Sequence, residues 1–304
     1  MLVVGFDTAT PAVSVALHDG ERVVAEAFAA DGRRHGELLM PMIAQVLADA
    51  GASRADLTAI AAGVGPGPYT GLRVGVVTAR VLGAVLGIPV HGVCSLDVIA
   101  AALLAPSFPG GPIPPDPPCS LPGGPIPPDP PCSLPGGPIP PGPPWGRTTP
   151  PSPPAATPSP GREFLVATDA RRKEVYWARY DAAGRRVQGP LVGSAASIPG
   201  AAGLAVAGAG GRLYPEAFGD VAGPAYPDAG TLCGIVTGQL ARDGAAPGRS
   251  VPLLPAEPLY LRRPDAREPG PPKRVTPPPA HLPIPPSPVH GGPPPPVPPG
   301  PSPS

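Results

Sequence analysis

Apolar positions in the first hundred residues change their spacing at turn residues, and these changes divide the chain into elements. Residues 2–6 form a short apolar run ending in Asp7-Thr8-Ala9-Thr10, and runs 13–17 and 22–28 follow at hairpin distance, with His18-Asp19-Gly20 as a turn. Three such runs predict an antiparallel meander. Residues 37–50 then place Leu38, Met42, Ile43, Val46 and Leu47 at helical spacing, and Gly51 supplies a stop. A strand over 56–63, a helix over 70–86, a strand over 88–93 and a helix opening at Ser95-Leu96-Asp97 complete the order β-β-β-α-β-α-β-α. A mixed sheet covered by helices fits that order better than a parallel one.

A proline-rich stretch interrupts the pattern, after which the order begins again. Residues 164–168 read as a strand ending in Asp169-Ala170-Arg171-Arg172-Lys173, and 174–180 alternates Val175, Trp177 and Arg179 against Glu174, Tyr176, Ala178 and Tyr180. A weaker strand over 185–192, a short one over 204–209 and a helix over 229–242 containing Leu232, Ile235, Val236 and Leu240 follow. The second half echoes the first, which predicts an α/β protein with duplicated ribonuclease-H-like lobes, mixed sheets flanked by helices.

Of 58 prolines, 25 lie between Pro106 and Pro160 and 19 from Pro264 onward. Proline fixes φ and removes a donor, so neither segment suits a core. Within the first, Gly-Gly-Pro-Ile-Pro-Pro-Asp-Pro-Pro-Cys-Ser-Leu-Pro occurs at 110–122 and again at 123–135. Polyproline II or disorder is expected there, as a spacer, as a ligand for aromatic grooves, or as a coding accident with no selected role. The expected divisions are a lobe over 1–104, the insert over 105–162, a smaller lobe over 163–268 and a proline-rich tail over 269–304. Formal charge is zero, with 22 basic and 22 acidic residues, so no basic field argues for independent binding to nucleic acid, and a partner is expected to hold any RNA. Cys94, Cys119, Cys132 and Cys233 form no Cys-x-x-Cys pair, which argues against zinc or redox chemistry. The chain opens on a strand-like run with no basic leader, so a cytoplasmic location is expected. Two arginines and its length argue against helix 70–86 spanning a membrane.

Three features bear on chemistry. Residues 63–75, Gly-Val-Gly-Pro-Gly-Pro-Tyr-Thr-Gly-Leu-Arg-Val-Gly, join a buried strand to an apolar helix. Such a turn either needs positive φ at Gly65 or Gly67, or presents backbone N–H groups and a helix dipole to an anion. No Gly-Lys-Ser/Thr closes it, so it is not a P-loop. Asp7, with Thr8 and Thr10, is placed for turn chemistry; the superfamily that the motifs below resemble implies instead that, together with Gly65 and Gly67, it belongs to a weak or vestigial nucleotide site. Asp169 holds the equivalent place in the second half, but no glycine-rich loop follows it. On the helix, Gly71, Gly75, Ala79 and Gly83 recur every four residues and make a small-residue face that suits close approach of another helix or of the chain's own sheet.

Gly5-Phe6-Asp7-Thr8-Ala9-Thr10, His35-Gly36-Glu37-Leu38-Leu39, the glycine-proline segment, Asp169-Ala170-Arg171-Arg172-Lys173-Glu174-Val175-Tyr176 and Pro258-Leu259-Tyr260-Leu261-Arg262 together resemble the TsaB family. The resemblance spans 1 to about 104 and 163 to about 268. It implies the actin and Hsp70-like (ASKHA) fold and a non-catalytic subunit of the bacterial machinery that makes N6-threonylcarbamoyladenosine in tRNA. It also implies pairing with a TsaD-like catalytic chain that holds the metal, recruitment of a TsaE-like ATPase, a homodimer when alone, tRNA contact only through the complex, and no membrane. ATP binding by this chain is expected to be weak. The catalytic relatives hold metal through two histidines four positions apart, whereas here His35 is followed by Leu39. The rival reading is a glycoprotease-like peptidase or a small-molecule kinase of the same superfamily. The resemblance also implies dimerisation through the first two helices, with Leu38, Met42, Gly71, Arg73, Gly75, Ala79 and Gly83 as expected interface residues. On that expectation, Gly75→Leu abolishes pairing while the monomer still folds, as light scattering would show.

Overall fold

In the first half of the chain, residues 3–6 and 59–62 are apolar on both sides of their strands, and a sheet built on them must be covered on two faces. The computed structural model describes residues 1–104, 162–241 and 251–262. The expected insert, apart from Arg162, and the expected tail lie outside them. Strands β1 (Val3–Asp7), β2 (Val13–His18), β3 (Val23–Ala29), β4 (Ala59–Gly63) and β5 (Val90–Val93) form a five-stranded sheet in the order β3-β2-β1-β4-β5. The first three run antiparallel, and β1-β4 and β4-β5 pair in parallel. Helices α1 (His35–Asp49) and α2 (Tyr69–Leu86) cover one face, where Val4, Phe6, Val15 and Ile60 meet Leu38, Leu39, Met42 and Ile43. Pro41 is accommodated on the exposed side of α1.

The second half repeats this plan without a fifth strand. Strands β6 (Phe164–Asp169), β7 (Val175–Tyr180), β8 (Arg186–Gly193) and β9 (Ala205–Ala207) lie in the order β8-β7-β6-β9, antiparallel except for β6-β9. The run expected as one strand over 204–209 instead stops at Ala207 and turns into a short helix α4 (Ala209–Leu213). Gly208, at φ 94°, makes the break, since that conformation has no place in a strand. Helix α5 (Ala229–Leu240) starts at Asp228, whose carboxylate accepts the Thr231 N–H at 2.6 Å and caps the first turn.

Two helices cross between the halves. Helix α5 leaves the second sheet and covers the open face of the first, burying Leu232, Cys233 and Val236 against Val3, Ala16, Ala59 and Ala61. The Ala229 N–H donates to Ser14 Oγ at 2.8 Å, which fixes the start of α5 on β2. Helix α3 (Ser95–Leu104) goes the other way, packing Leu96, Ile99 and Leu103 with Phe164, Val166 and Tyr180. Gly5 leaves room for the α5 crossing, because a Cβ there would lie 2.4 Å from Cys233 Sγ. Cys94 and Cys233 are buried free thiols, and burial pushes Cys94 up to about 12, so both serve packing.

A polar contact accompanies the α3 crossing. The Tyr180 hydroxyl on β7 donates to Asp97 Oδ1 at 2.7 Å, and Arg186 Nη1 on β8 lies 3.3 Å from the same oxygen. Arg186 is off the hydrogen-bond line, so its contribution is ionic. Burial pushes the Asp97 carboxyl above its ordinary range, with Arg186 and the Tyr180 hydroxyl opposing that shift. Removing one member of a buried pair strands the other charge. Asp97→Ala is therefore expected to cost about 3–5 kcal/mol in urea unfolding, and Tyr180→Phe only about 1 kcal/mol; equal small losses would show the ion pair to be idle.

Candidate functional site

The carboxyl ends of β1 and β4 and the start of α3 converge on Asp7. Its side chain is buried, and both oxygens are engaged: Oδ1 accepts the Ala9 N–H at 2.8 Å and Oδ2 accepts the Ser95 hydroxyl at 2.5 Å. Ser95 Oγ in turn accepts the Gly65 N–H at 3.1 Å, while the Ser95 N–H donates to the Gly65 carbonyl at 2.7 Å. Burial raises the Asp7 carboxyl, and the Ser95 hydroxyl, the Ala9 N–H and the His35 charge pull the other way. Ser95 was legible in the sequence only as a helix opener. Its second role depends on where β4 ends.

Thr8 and Thr10 extend the same cluster inward. The Thr8 hydroxyl donates to the Gly71 carbonyl at 2.7 Å and accepts the Gly75 N–H at 3.0 Å. These are the two partners of one i to i+4 step of α2, so the hydroxyl is inserted into the helix ladder. His35 Nε2 lies 2.7 Å from the Thr10 carbonyl, which can only accept, so this nitrogen carries the proton and is engaged. The glycine-proline turn packs directly on β1: a Cβ at Gly67 would lie 2.1 Å from the Ala9 carbonyl oxygen, and Gly65 sits at φ 90°. Asp7, Thr8, Thr10, Gly65 and Gly67 are thus brought together, but they face one another. The Asp7 carboxylate and the Thr8 hydroxyl bond the protein's own backbone and Ser95, and the Thr10 hydroxyl accepts the Ala12 N–H at 3.3 Å.

The small-residue stripe lies against the chain's own β1 end and β5. Gly71, Gly75, Ala79 and Gly83 are buried under the chain itself. A β-carbon added at Gly71 would meet the Thr8 carbonyl oxygen, one at Gly75 would meet Thr8 Oγ1, and one at Gly83 would meet Val90 Cγ2. Leu38 and Met42 likewise lie in the core under α1. Arg73 alone among the expected interface residues is exposed.

Similarity to known proteins falls on this same framework. Residues 23–114 match the family model described as TsaD, tRNA N6-adenosine threonylcarbamoyltransferase. The protein Rv3421c of Mycobacterium tuberculosis is 36% identical over 273 residues, covering 87% of this chain and 93% of that protein. The tRNA threonylcarbamoyladenosine biosynthesis protein TsaB of Escherichia coli is 38% identical over 100 residues, 33% of this chain and 43% of that protein. The chain belongs to the TsaB-like family. The solved structure of YeaZ from Pseudomonas aeruginosa shares the fold, with a TM-score of 0.55 and 22% identity over 86% of this chain and 99% of that one.

In this TsaB-like chain the side of α2 turned away from the sheet carries a row of exposed valines beside Arg73 and Arg80. Val77, Val81 and Val85 are 52%, 54% and 75% exposed, and Met40 on α1 is 42% exposed. By length and composition α2 could cross a membrane, yet its other side is seated on β1, β4 and β5 through Gly75, Ala79 and Gly83. Near its start, Tyr69 stacks on Tyr260 with ring centroids 5.2 Å apart, and the Arg73 guanidinium lies 4.8 Å from the Tyr69 centroid. Residues 251–262 form a strap: Leu254 pairs with Gly92, the Leu259 N–H donates to the Val64 carbonyl at 2.8 Å, and Arg262 reaches Glu174 and the Ala170 carbonyl. The motif ending in Arg262 is visible in the sequence, but its partners are not, because they lie in both halves of the chain.

The Thr8 hydrogen bonds change the expected outcome at position 75. A leucine there drives its Cβ to 2.4 Å from Thr8 Oγ1. Gly75→Leu should lower the stability of the monomer itself by about 3 kcal/mol, seen as an earlier urea midpoint. A variant that keeps the wild-type midpoint and loses only its pairing would return this face to a partner helix.

Proposed function

We propose that this chain is the non-catalytic, dimerising subunit of a bacterial machinery that makes N6-threonylcarbamoyladenosine in tRNA. It pairs with a TsaD-like catalytic chain that holds the metal, the pair recruits a TsaE-like ATPase, and alone the chain pairs with a second copy. The observation that carries this reading is the outward side of α2, where Val77, Val81 and Val85 stand four residues apart on one exposed face. A helix so apolar on its open side lowers its free energy by being covered, at about 25 cal/mol per Å² of apolar surface removed from water.

The inward geometry supports a scaffold over an enzyme. A peptidase of the glycoprotease kind would call on a histidine pair, but Leu39 stands at the second position and lies in the core, while His35 is bonded to Thr10. A kinase would call on an open phosphate loop, but Gly67 lies against the Ala9 carbonyl. The Asp7 carboxylate, which would help to place a metal-bound phosphate, has both oxygens occupied.

Replacing Val77 and Val81 together by glutamate should abolish copurification with a TsaD-like chain and self-association in light scattering. Both positions are exposed, so monomer stability should stay within about 0.5 kcal/mol of wild type. Retained pairing would remove the outward valines from the interface. A reconstituted tRNA modification that proceeds equally well without this chain would sink the scaffold reading itself.

A further inference from the structure

We propose that this chain carries an RNA-contacting surface of its own, formed by the Tyr69–Tyr260 pair and the basic turn between β6 and β7, and that it takes a single-stranded segment of RNA. The identity of the ligand rests on the tRNA-modification reading above; the surface rests on its own geometry.

Zero net charge conceals a local excess. The turn after β6 presents Arg171, Arg172 and Lys173 in succession, all exposed. Their φ angles are 62°, 56° and 61°, a left-handed conformation that residues with a Cβ adopt only at a cost. Glycine or asparagine would make such a turn with less strain, so a requirement for chain reversal does not account for the cations at Arg171 and Lys173. The turn is held at both ends. The Arg171 N–H donates to Asp169 Oδ1 at 2.7 Å, the Ala170 N–H to the Glu174 carbonyl at 3.0 Å, and Arg262 contacts the Ala170 carbonyl and the Glu174 carboxylate.

Arg262 is also what joins this turn to the aromatic pair. It lies two residues beyond Tyr260, and two residues of chain span at most about 7 Å. Tyr69 and Tyr260 are 46% and 42% exposed, large apolar rings left partly in water. With Arg73 beside Tyr69, among the described residues Arg73, Arg171, Lys173 and Arg262 outnumber Asp169, Glu174 and Glu257. Aromatic rings flanked by cations are what a single strand requires, because bases stack on rings and phosphates meet lysine and arginine without regard to sequence. Bases would use the exposed rings for stacking while phosphates use the cations, so the charge and the rings together favour RNA.

The region also lies beside the proposed protein interface, not on it. Tyr69 and Arg73 precede Val77 on the same helical face, so a strand held here would run next to the partner that covers the valines. This differs from the expectation that tRNA meets the chain only through its partner.

The test is fluorescence anisotropy of the full chain with a labelled single-stranded RNA oligonucleotide across a salt series, with polyglutamate as the competing acidic polymer. Replacing Arg171 and Lys173 together by glutamate should weaken binding by roughly tenfold or more and flatten the salt dependence by about 0.7 in slope for each phosphate no longer neutralised. Tyr260→Ala should weaken it by roughly tenfold with the slope unchanged, while Tyr260→Phe retains binding and so controls for folding. Binding indifferent to the charge reversal and to Tyr260→Ala, or displaced as readily by polyglutamate as by unlabelled RNA, overturns the proposal. So does a loss of pairing with a TsaD-like chain in place of RNA binding, which would make the region a protein interface. If the chain supports tRNA modification while the variants bind RNA as wild type, this surface is wrong and the scaffold reading stands. If it supports no modification, the scaffold reading falls, and the variant series still decides whether the surface holds RNA.

Discussion

Burying a carboxylate is costly unless its oxygens are bonded by the protein, and the first half of this chain is arranged around meeting that demand at Asp7. Its partners come from the β1 end itself and from the first residue of α3, which in turn holds the glycine-proline turn through Gly65. One side chain thereby ties three connections that are distant in sequence. Thr8, next to it, reaches into α2 and sets the distance between that helix and the sheet. The glycines of α2 follow from this approach: a strand end can come so close to a helix only where no Cβ intervenes.

Among the described residues the second half has no matching clasp, and it is held by exchange. Helix α5 covers the first sheet and α3 packs on the second, so each sheet depends on a helix from the other half of the chain. The strap over 251–262 adds a third connection, from β5 through Val64 to the turn after β6. Burying Asp97 between Tyr180 and Arg186 makes the α3 crossing specific as well as apolar, since a slipped register would leave a charge without its partner.

Much of this order is legible in the sequence because strands and helices impose different periods. The meander at the start, the helical spacing of Leu38, Met42, Ile43 and Val46, and the echo beginning near residue 164 all emerge in the structure. What the pattern lacks is direction. A stripe of small residues announces that something comes close, not what, and the same Gly71 to Gly83 spacing fits a partner helix or the chain's own strand. Thr8 decides between them, and its position relative to α2 exists only after β1 and β4 have paired. Ser95 is hidden for the same reason. In the run over 204–209 the apolar pattern marks a strand but overstates its length, because the local break at Gly208 outweighs the apolar preference of its neighbours.

The inward seating of those small residues also determines what the other side of α2 is for. Eighteen residues at 3.6 per turn cannot place Gly71, Gly75, Ala79 and Gly83 against the sheet without turning Tyr69, Arg73, Val77, Val81 and Val85 away from it. A helix with a polar outer side would satisfy the fold equally well. The valines there are exposed surface that the fold itself does not bury, as are the arginine and tyrosine at the start of the same face. The apolar end and the aromatic, basic end ask for different surfaces, and Tyr260 and Arg262 of the strap extend only the second toward the cationic turn. The clasp at Asp7, by fixing the rotation of α2, sets both ends in place at once.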